Sequence, residues 1–128
     1  MRVKPLPTQH IGVDIIEIDR IRKAIERWGE TFLARVFTPS ELKLYRDKPS
    51  SLAARFAAKE AVLKSLDACD RGISWQDIEV LAESGGKPAV LLHGKARAAA
   101  SELSIVELAV SLSHSEAYAV AFAVGVTG

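Results

Sequence analysis

Hydrophobic and polar positions follow two different rhythms along this chain. IGVDIIEI, residues 11–18, is short, β-branched and apolar, which predicts a strand. On it Ile11, Val13 and Ile15 share one face, and Gly12, Asp14 and Ile16 share the other. A helix is expected to run on to about Trp28, with Ile18, Ile21, Ile25 and Trp28 as its buried stripe and Gly29 as its C-terminal cap. TFLARVF predicts a short helix. TPSELKLY predicts another: Thr38 is the N-cap, Pro39 takes the first helical position, and Glu41 stands three residues past the cap. Pro49 is expected to end that helix, and a longer one is predicted from about Ser51 to Asp67. The second half alternates with period two. DIEVLAE and AVLLHG flank SGGK as a hairpin, KARAAASEL is a short alanine-rich helix, and VELAVSLSH and YAVAFAVGV close the chain as a second hairpin. The order strand, helices, hairpin, helix, hairpin defines an α+β class, a mainly antiparallel sheet packed against helices.

Composition narrows the picture. The 128 residues fit one domain, 1–128, with 1–9 as a loose lead-in carrying two prolines. Hydrophobic residues make up 48% and charged residues 26%, which is a globular rather than a disordered balance. A formal net charge of +1 argues against a bulk nucleic-acid binder. The single cysteine, Cys69, excludes an internal disulfide and fits a reducing compartment. No apolar run approaches the ~20 residues of a membrane span and no secretory leader is visible, so a cytoplasmic location is expected.

The candidate chemistry sits in RFAAKEAVLKSL, residues 55–66. Leu52, Phe56, Lys59, Leu63 and Leu66 fall on one helical stripe, and Lys59 is its only polar member. Such a lysine can simply snorkel its ammonium out of the stripe. Glu60 and Lys64 stand one turn apart on a neighbouring face with Ala53 and Ala57. They read either as an exposed helix ion pair or as a carboxylate and an ammonium beside a small-residue face that admits a metal-bound phosphate. Asp14, inside an apolar strand, is the candidate partner for Glu60, because a carboxylate there needs a cation or several donors. Two acids meeting at one cation make an ordinary magnesium site; a strand-end Asp bonded to nearby backbone amides is the alternative.

IGVDIIEIDRI, then FTPSE, then RFAAKEAVLKSL, then SLSHSEAYAVAFAV together resemble the small holo-acyl-carrier-protein synthase group of 4′-phosphopantetheinyl transferases. The resemblance runs from about Ile11 to Val124. It implies transfer of the 4′-phosphopantetheine arm of coenzyme A to a serine of apo acyl carrier protein, in support of fatty acid biosynthesis. It implies Mg²⁺ held by Asp14 and Glu60, both counted catalytic with Lys64. It also implies a homotrimer with active sites at subunit interfaces. Glu60, directly or through a bound water, would take the serine proton, and Lys64 would stabilise or protonate the departing phosphate. Arg55, Lys59 and Lys64 would meet coenzyme A, the first two at a subunit seam. Gly86, Lys87 and Pro88 would lie near its adenine, although GGKP also reads as a plain hairpin turn. His114 would touch its nucleotide end, or else cap a core strand. Arg20, Lys23 and Arg27, at i, i+3 and i+7, would meet an acidic carrier; Lys23 rests on the helical spacing alone, and such a face is otherwise solvated surface. His10 stands where the family often has glycine, and a larger ring there would crowd the strand start.

Three rivals remain open in the residues themselves. A metal-dependent phosphohydrolase would use the same two carboxylates with water as acceptor. A binding module would dock acidic proteins without chemistry and would survive loss of Asp14 and Glu60. A nucleic-acid binder is weakened by the near-zero net charge and by the lack, in this chain, of aromatic residues interleaved with the basic ones.

Overall fold

The structure is a computed structural model that describes residues 1, 3, 9–67 and 72–128. Most of the expected lead-in, and Cys69, lie outside the described residues. Strand β1 (Gln9–Glu17) begins inside the span expected to be loose and passes directly into helix α1 (Ile18–Trp28). Helices α2 (Glu30–Val36), α3 (Pro39–Tyr45) and α4 (Pro49–Ser65) follow. A short 3-10 helix, Trp75–Asp77, leads into the hairpin β2 (Ile78–Ala82) and β3 (Pro88–Leu92). Helix α5 (Gly94–Glu102) then leads to the closing hairpin β4 (Ile105–His114) and β5 (Tyr118–Thr127). The α+β class and the order of the helices and strands are as the pattern predicts; the 3-10 helix is an addition to it. Among the described residues the strands form two sheets, β1-β5-β4 and β2-β3, and every pairing is antiparallel.

Local signals explain most boundaries. Thr38 Oγ1 accepts from the Glu41 amide at 3.2 Å while Glu41 Oε1 accepts from the Thr38 amide at 2.8 Å, a complete capping box with Pro39 behind it. The Gly29 amide closes α1 on the Ile25 carbonyl at 2.8 Å. Two boundaries differ from expectation. Pro49 opens α4 instead of ending α3, because its missing N–H costs nothing in a first turn. Trp28 is 54% exposed and not part of the buried stripe, which reduces to Ile18 and Ile21 with Ile25 half-buried.

Helix α4 is the centre of the molecule and packs across β1 and β5. Leu52, Ala53, Ala54, Ala57, Ala58, Ala61, Val62 and Leu66 are all buried, so the helix is covered on more than one stripe. The sheet face beneath it is built from small residues. Gly12 stands opposite Ala123, Asp14 opposite Ala121, and Ile16 opposite Ala119. Ala53 and Ala57, expected to leave room for a ligand, are both fully buried. Gly12 shows how close the approach is: a Cβ there would lie 1.8 Å from the Ala61 carbonyl oxygen and 2.9 Å from the Ser65 nitrogen. The other sheet face carries Ile11, Val13, Ile15 and Phe122, which are 52%, 51%, 63% and 43% exposed.

Candidate active site

Asp14 lies on the inner, α4-facing side of β1, in register with Ala121 and two residues from Gly12. The strand comes close enough to α4 for Lys64 to reach across. Lys64 Nζ donates to Asp14 Oδ1 at 3.2 Å and to the Val13 carbonyl at 2.8 Å. The Asp14 side chain is 20% exposed and Lys64 is 50% exposed, so the pair opens to solvent and is worth about 1 kcal/mol or less. Glu60, one turn before Lys64, accepts a hydrogen bond at Oε1 from the Trp75 indole N–H at 2.7 Å. Glu60, Leu63, Lys64, Ile73 and Trp75 line a cleft of about 290 Å³. Lys64 thus bonds to the strand carboxylate, where the helix spacing alone suggested a bond to Glu60.

Asp14 on β1 and Glu60 on α4 each offer carboxylate oxygens, the donor type that a hard cation such as Mg²⁺ takes. A hard cation of this kind takes its remaining ligands from water and substrate phosphates.

Lys59 differs from its expected place. Its side chain is fully buried, and Nζ donates to Glu41 Oε1 at 2.8 Å, to the Trp75 carbonyl at 3.0 Å and to the Ile78 carbonyl. An ammonium has three donors, and all three are used inside the chain. Burial pulls its pKa below the ordinary lysine value, and the charge of Glu41 opposes that pull. This corrects the reading of Lys59 as a coenzyme A contact at a subunit seam, since it is an internal cation paired with Glu41. Glu41 also accepts from the Val80 amide at 2.8 Å, so one carboxylate joins α3, α4 and β2.

The remaining candidates are spread over the surface. Arg55 lies over the Tyr45 ring, 3.9 Å from its centroid, and donates to the Tyr45 hydroxyl at 2.9 Å. Its Nε is buried without a hydrogen-bond partner among the described residues. Five residues before Glu60, Arg55 points about 140° away from it around α4. Gly86, with φ 83, turns the chain between β2 and β3, next to exposed Lys87 and half-buried Pro88. His114 ends β4, exposed, with Nδ1 3.4 Å from the Ser115 carbonyl. It aligns through Ala119 with Ile16, two strand spacings or about 10 Å from β1. His10 pairs opposite Gly125 in unbroken register, so the larger ring does not disturb the strand start.

Arg20, Lys23 and Arg27 do come together, along one edge of a groove of about 400 Å³ whose floor includes Ile16, Ile21 and Phe56. Lys23 is held by Asp19 at 3.0 Å, and that bond raises its pKa. The Arg27 guanidinium carbon sits 4.9 Å from the centroid of the Trp28 ring. An adjoining hollow of about 390 Å³ shares Trp28, Phe32 and Phe56 and ends at Trp75. A path of apolar side chains therefore leads from the basic face of α1 to the residue that bonds Glu60. Sequence reasoning missed Trp75 and Glu41 as partners of the site. The only available signal was chemical: a half-buried indole N–H and a buried carboxylate each require a partner.

The sequence pattern of the 4′-phosphopantetheinyl transferase superfamily matches residues 10–123. The chain belongs to that superfamily. Among curated relatives it is similar to the holo-[acyl-carrier-protein] synthase of Moorella thermoacetica, 55% identical over 115 residues that cover 88% of this chain and 89% of the relative. The holo-[acyl-carrier-protein] synthase of Herpetosiphon aurantiacus is 50% identical over 121 residues, covering 89% and 95%. Among solved structures, Helicobacter pylori holo-[acyl-carrier-protein] synthase in complex with coenzyme A superposes with a TM-score of 0.81 at 35% identity, covering 90% of this chain and 98% of that one. The expected fold and the expected transferase class are both met.

Proposed function

We propose that this chain moves the 4′-phosphopantetheine arm of coenzyme A onto a serine hydroxyl of an apo acyl carrier protein, using Mg²⁺ and releasing adenosine 3′,5′-bisphosphate. The observation that carries the proposal is the approach of β1 to α4: Lys64 bonds Asp14, and Glu60, one turn before Lys64, lines an open cleft with it. The coenzyme A bound to the Helicobacter pylori relative supports the donor substrate.

In the reaction a serine oxygen–phosphorus bond forms and the phosphorus–oxygen bond to the bisphosphate breaks. Asp14 and Glu60 would hold the cation, which when bound neutralises pyrophosphate charge and orients the phosphoryl group. Glu60, directly or through a bound water, takes the serine proton. Lys64, half exposed beside Asp14, donates to the departing phosphate. Arg20 and Arg27, with Lys23, receive the acidic face of the carrier, and the groove below them guides its serine toward Glu60.

The proposed assembly is a homotrimer. Ile11, Val13, Ile15 and Phe122 form a contiguous exposed apolar sheet face, which an isolated subunit would leave in water. Arg55, the Gly86-Lys87-Pro88 turn and His114 lie apart from the Asp14–Lys64 pair. Their part in coenzyme A binding is assigned to the site of a neighbouring subunit. Within the described residues no helix is long and apolar enough to cross a membrane. The reading places the enzyme in the cytoplasm, as one domain serving fatty acid biosynthesis.

The test is the intact mass of an apo carrier protein after incubation with this protein, coenzyme A and Mg²⁺, beside a chelated sample and a Glu60→Gln sample. Gain of one phosphopantetheine in the first sample alone is the expected result. Coenzyme A consumed without gain of mass would mean hydrolysis. No gain and no consumption would leave a binding module.

A further inference from the structure

Two consecutive side chains of α4 grip one residue from opposite ends. Lys59 Nζ donates to the Trp75 backbone carbonyl at 3.0 Å, and Glu60 Oε1 accepts from the Trp75 indole N–H at 2.7 Å. Trp75 is held rigidly for this. It opens the 3-10 helix 75–77, whose own capping box joins Ser74 and Asp77. Its ring leans on Phe56, with centroids 6.0 Å apart. Lys59 is itself fixed by buried Glu41. An unbroken chain of bonds therefore runs from Glu41 through Lys59 and Trp75 to one oxygen of Glu60.

We propose that Trp75 is a positioning residue for Glu60. The indole N–H ties Oε1, so the carboxylate cannot swing freely about its last torsion and keeps one aim at the cleft that it lines. Ligating carboxylates act well only when their other contacts are fixed, and loss of such a contact costs about 10- to 100-fold in metal affinity or activity. The same geometry gives buried Lys59 its role. It sets the height of Trp75 against α4, and so the aim of a neighbour it does not touch. This inference rests on the reading of Glu60 as a metal ligand.

The test is Trp75→Phe, which keeps an aromatic ring against Phe56 and removes the N–H. Two quantities are read on the assembled full-length protein: Mn²⁺ binding by calorimetry without carrier, and the half-saturating Mg²⁺ concentration in the transfer assay. Both should weaken by about 10- to 100-fold while the carrier KM stays within about twofold of wild type. Glu60→Gln measured alone and with Trp75→Phe supplies the second check, because the effects should be far from additive if the indole acts through Glu60. Unchanged metal dependence in Trp75→Phe would overturn the positioning role and leave the proposed reaction standing. A carrier KM that rises in step with the metal constants would also overturn it, since that marks general loosening of the groove. A wild-type protein that transfers nothing and binds no Mn²⁺ would overturn both readings at once.

Discussion

Lys59 and Gly12 show how single residues in this chain are constrained by what they touch. Lys59 looks like a surface charge by type and a core position by spacing, and the core reading holds because Glu41 and two carbonyls take all three of its protons. Replacing it by Met should cost about 3–5 kcal/mol in urea denaturation, because the Glu41 carboxylate would stay buried without its cation. A loss under about 1 kcal/mol would show that Glu41 can be satisfied by its amide donors alone. Gly12 is constrained more simply, by space. A methyl group in Gly12→Ala would collide with the α4 backbone, which cannot give way as a flexible side chain can. The expected loss is about 3 kcal/mol or more, with transfer falling too because β1 carries Asp14 away from Lys64. Wild-type stability for this variant would mean that strand and helix can part at no cost.

At the scale of elements, α1 and α4 divide the work. Helix α1 presents charge to the outside: Arg20, Lys23 and Arg27 rim a groove with an apolar floor. Contacts between exposed charges are screened at a Debye length of about 8 Å in physiological salt, so the carrier KM should climb steadily with added NaCl. Arg27→Glu should raise that KM at low salt and flatten the salt dependence, with kcat little changed. Steady-state kinetics at several salt concentrations decide this, and a salt-independent KM would remove the basic face from carrier binding. Helix α4 turns its charge inward or along the sheet edge. Its alanines let β1 and β5 approach, and that closeness brings Lys64 within reach of Asp14.

Over the whole molecule, the three-stranded sheet has two unlike faces. One is closed by α4; the other exposes Ile11, Val13, Ile15 and Phe122. The double variant Val13→Asp, Phe122→Asp puts two carboxylates on that outer face, away from the α4 core. Analytical ultracentrifugation should show assemblies of wild type and single subunits of the variant, with transfer activity lost alongside. A variant that keeps the wild-type mass would show that copies meet elsewhere.

The period-two and helical patterns in this sequence were enough to determine its α-helices and strands and their order, though not the 3-10 helix that carries Trp75. Local chemistry set several ends: Thr38, Pro39 and Glu41 cap α3 using atoms within four residues of one another. The resemblance carried by the two signature segments pointed to Asp14, Glu60 and Lys64 together. Partners across the fold were not legible. Lys59 could have snorkelled or been buried, and only the arrival of α3 and of the strand after Trp75 decided it. Lys64 could have bonded Glu60 along the helix; the close packing at Gly12 offered it Asp14. Trp75 gave no sign of touching Glu60, 15 positions earlier. Side-chain spacing along one element is set by backbone geometry and can be counted. Which donor meets which acceptor between elements depends on how closely and at what angle they pack, and that is a property of the folded chain alone.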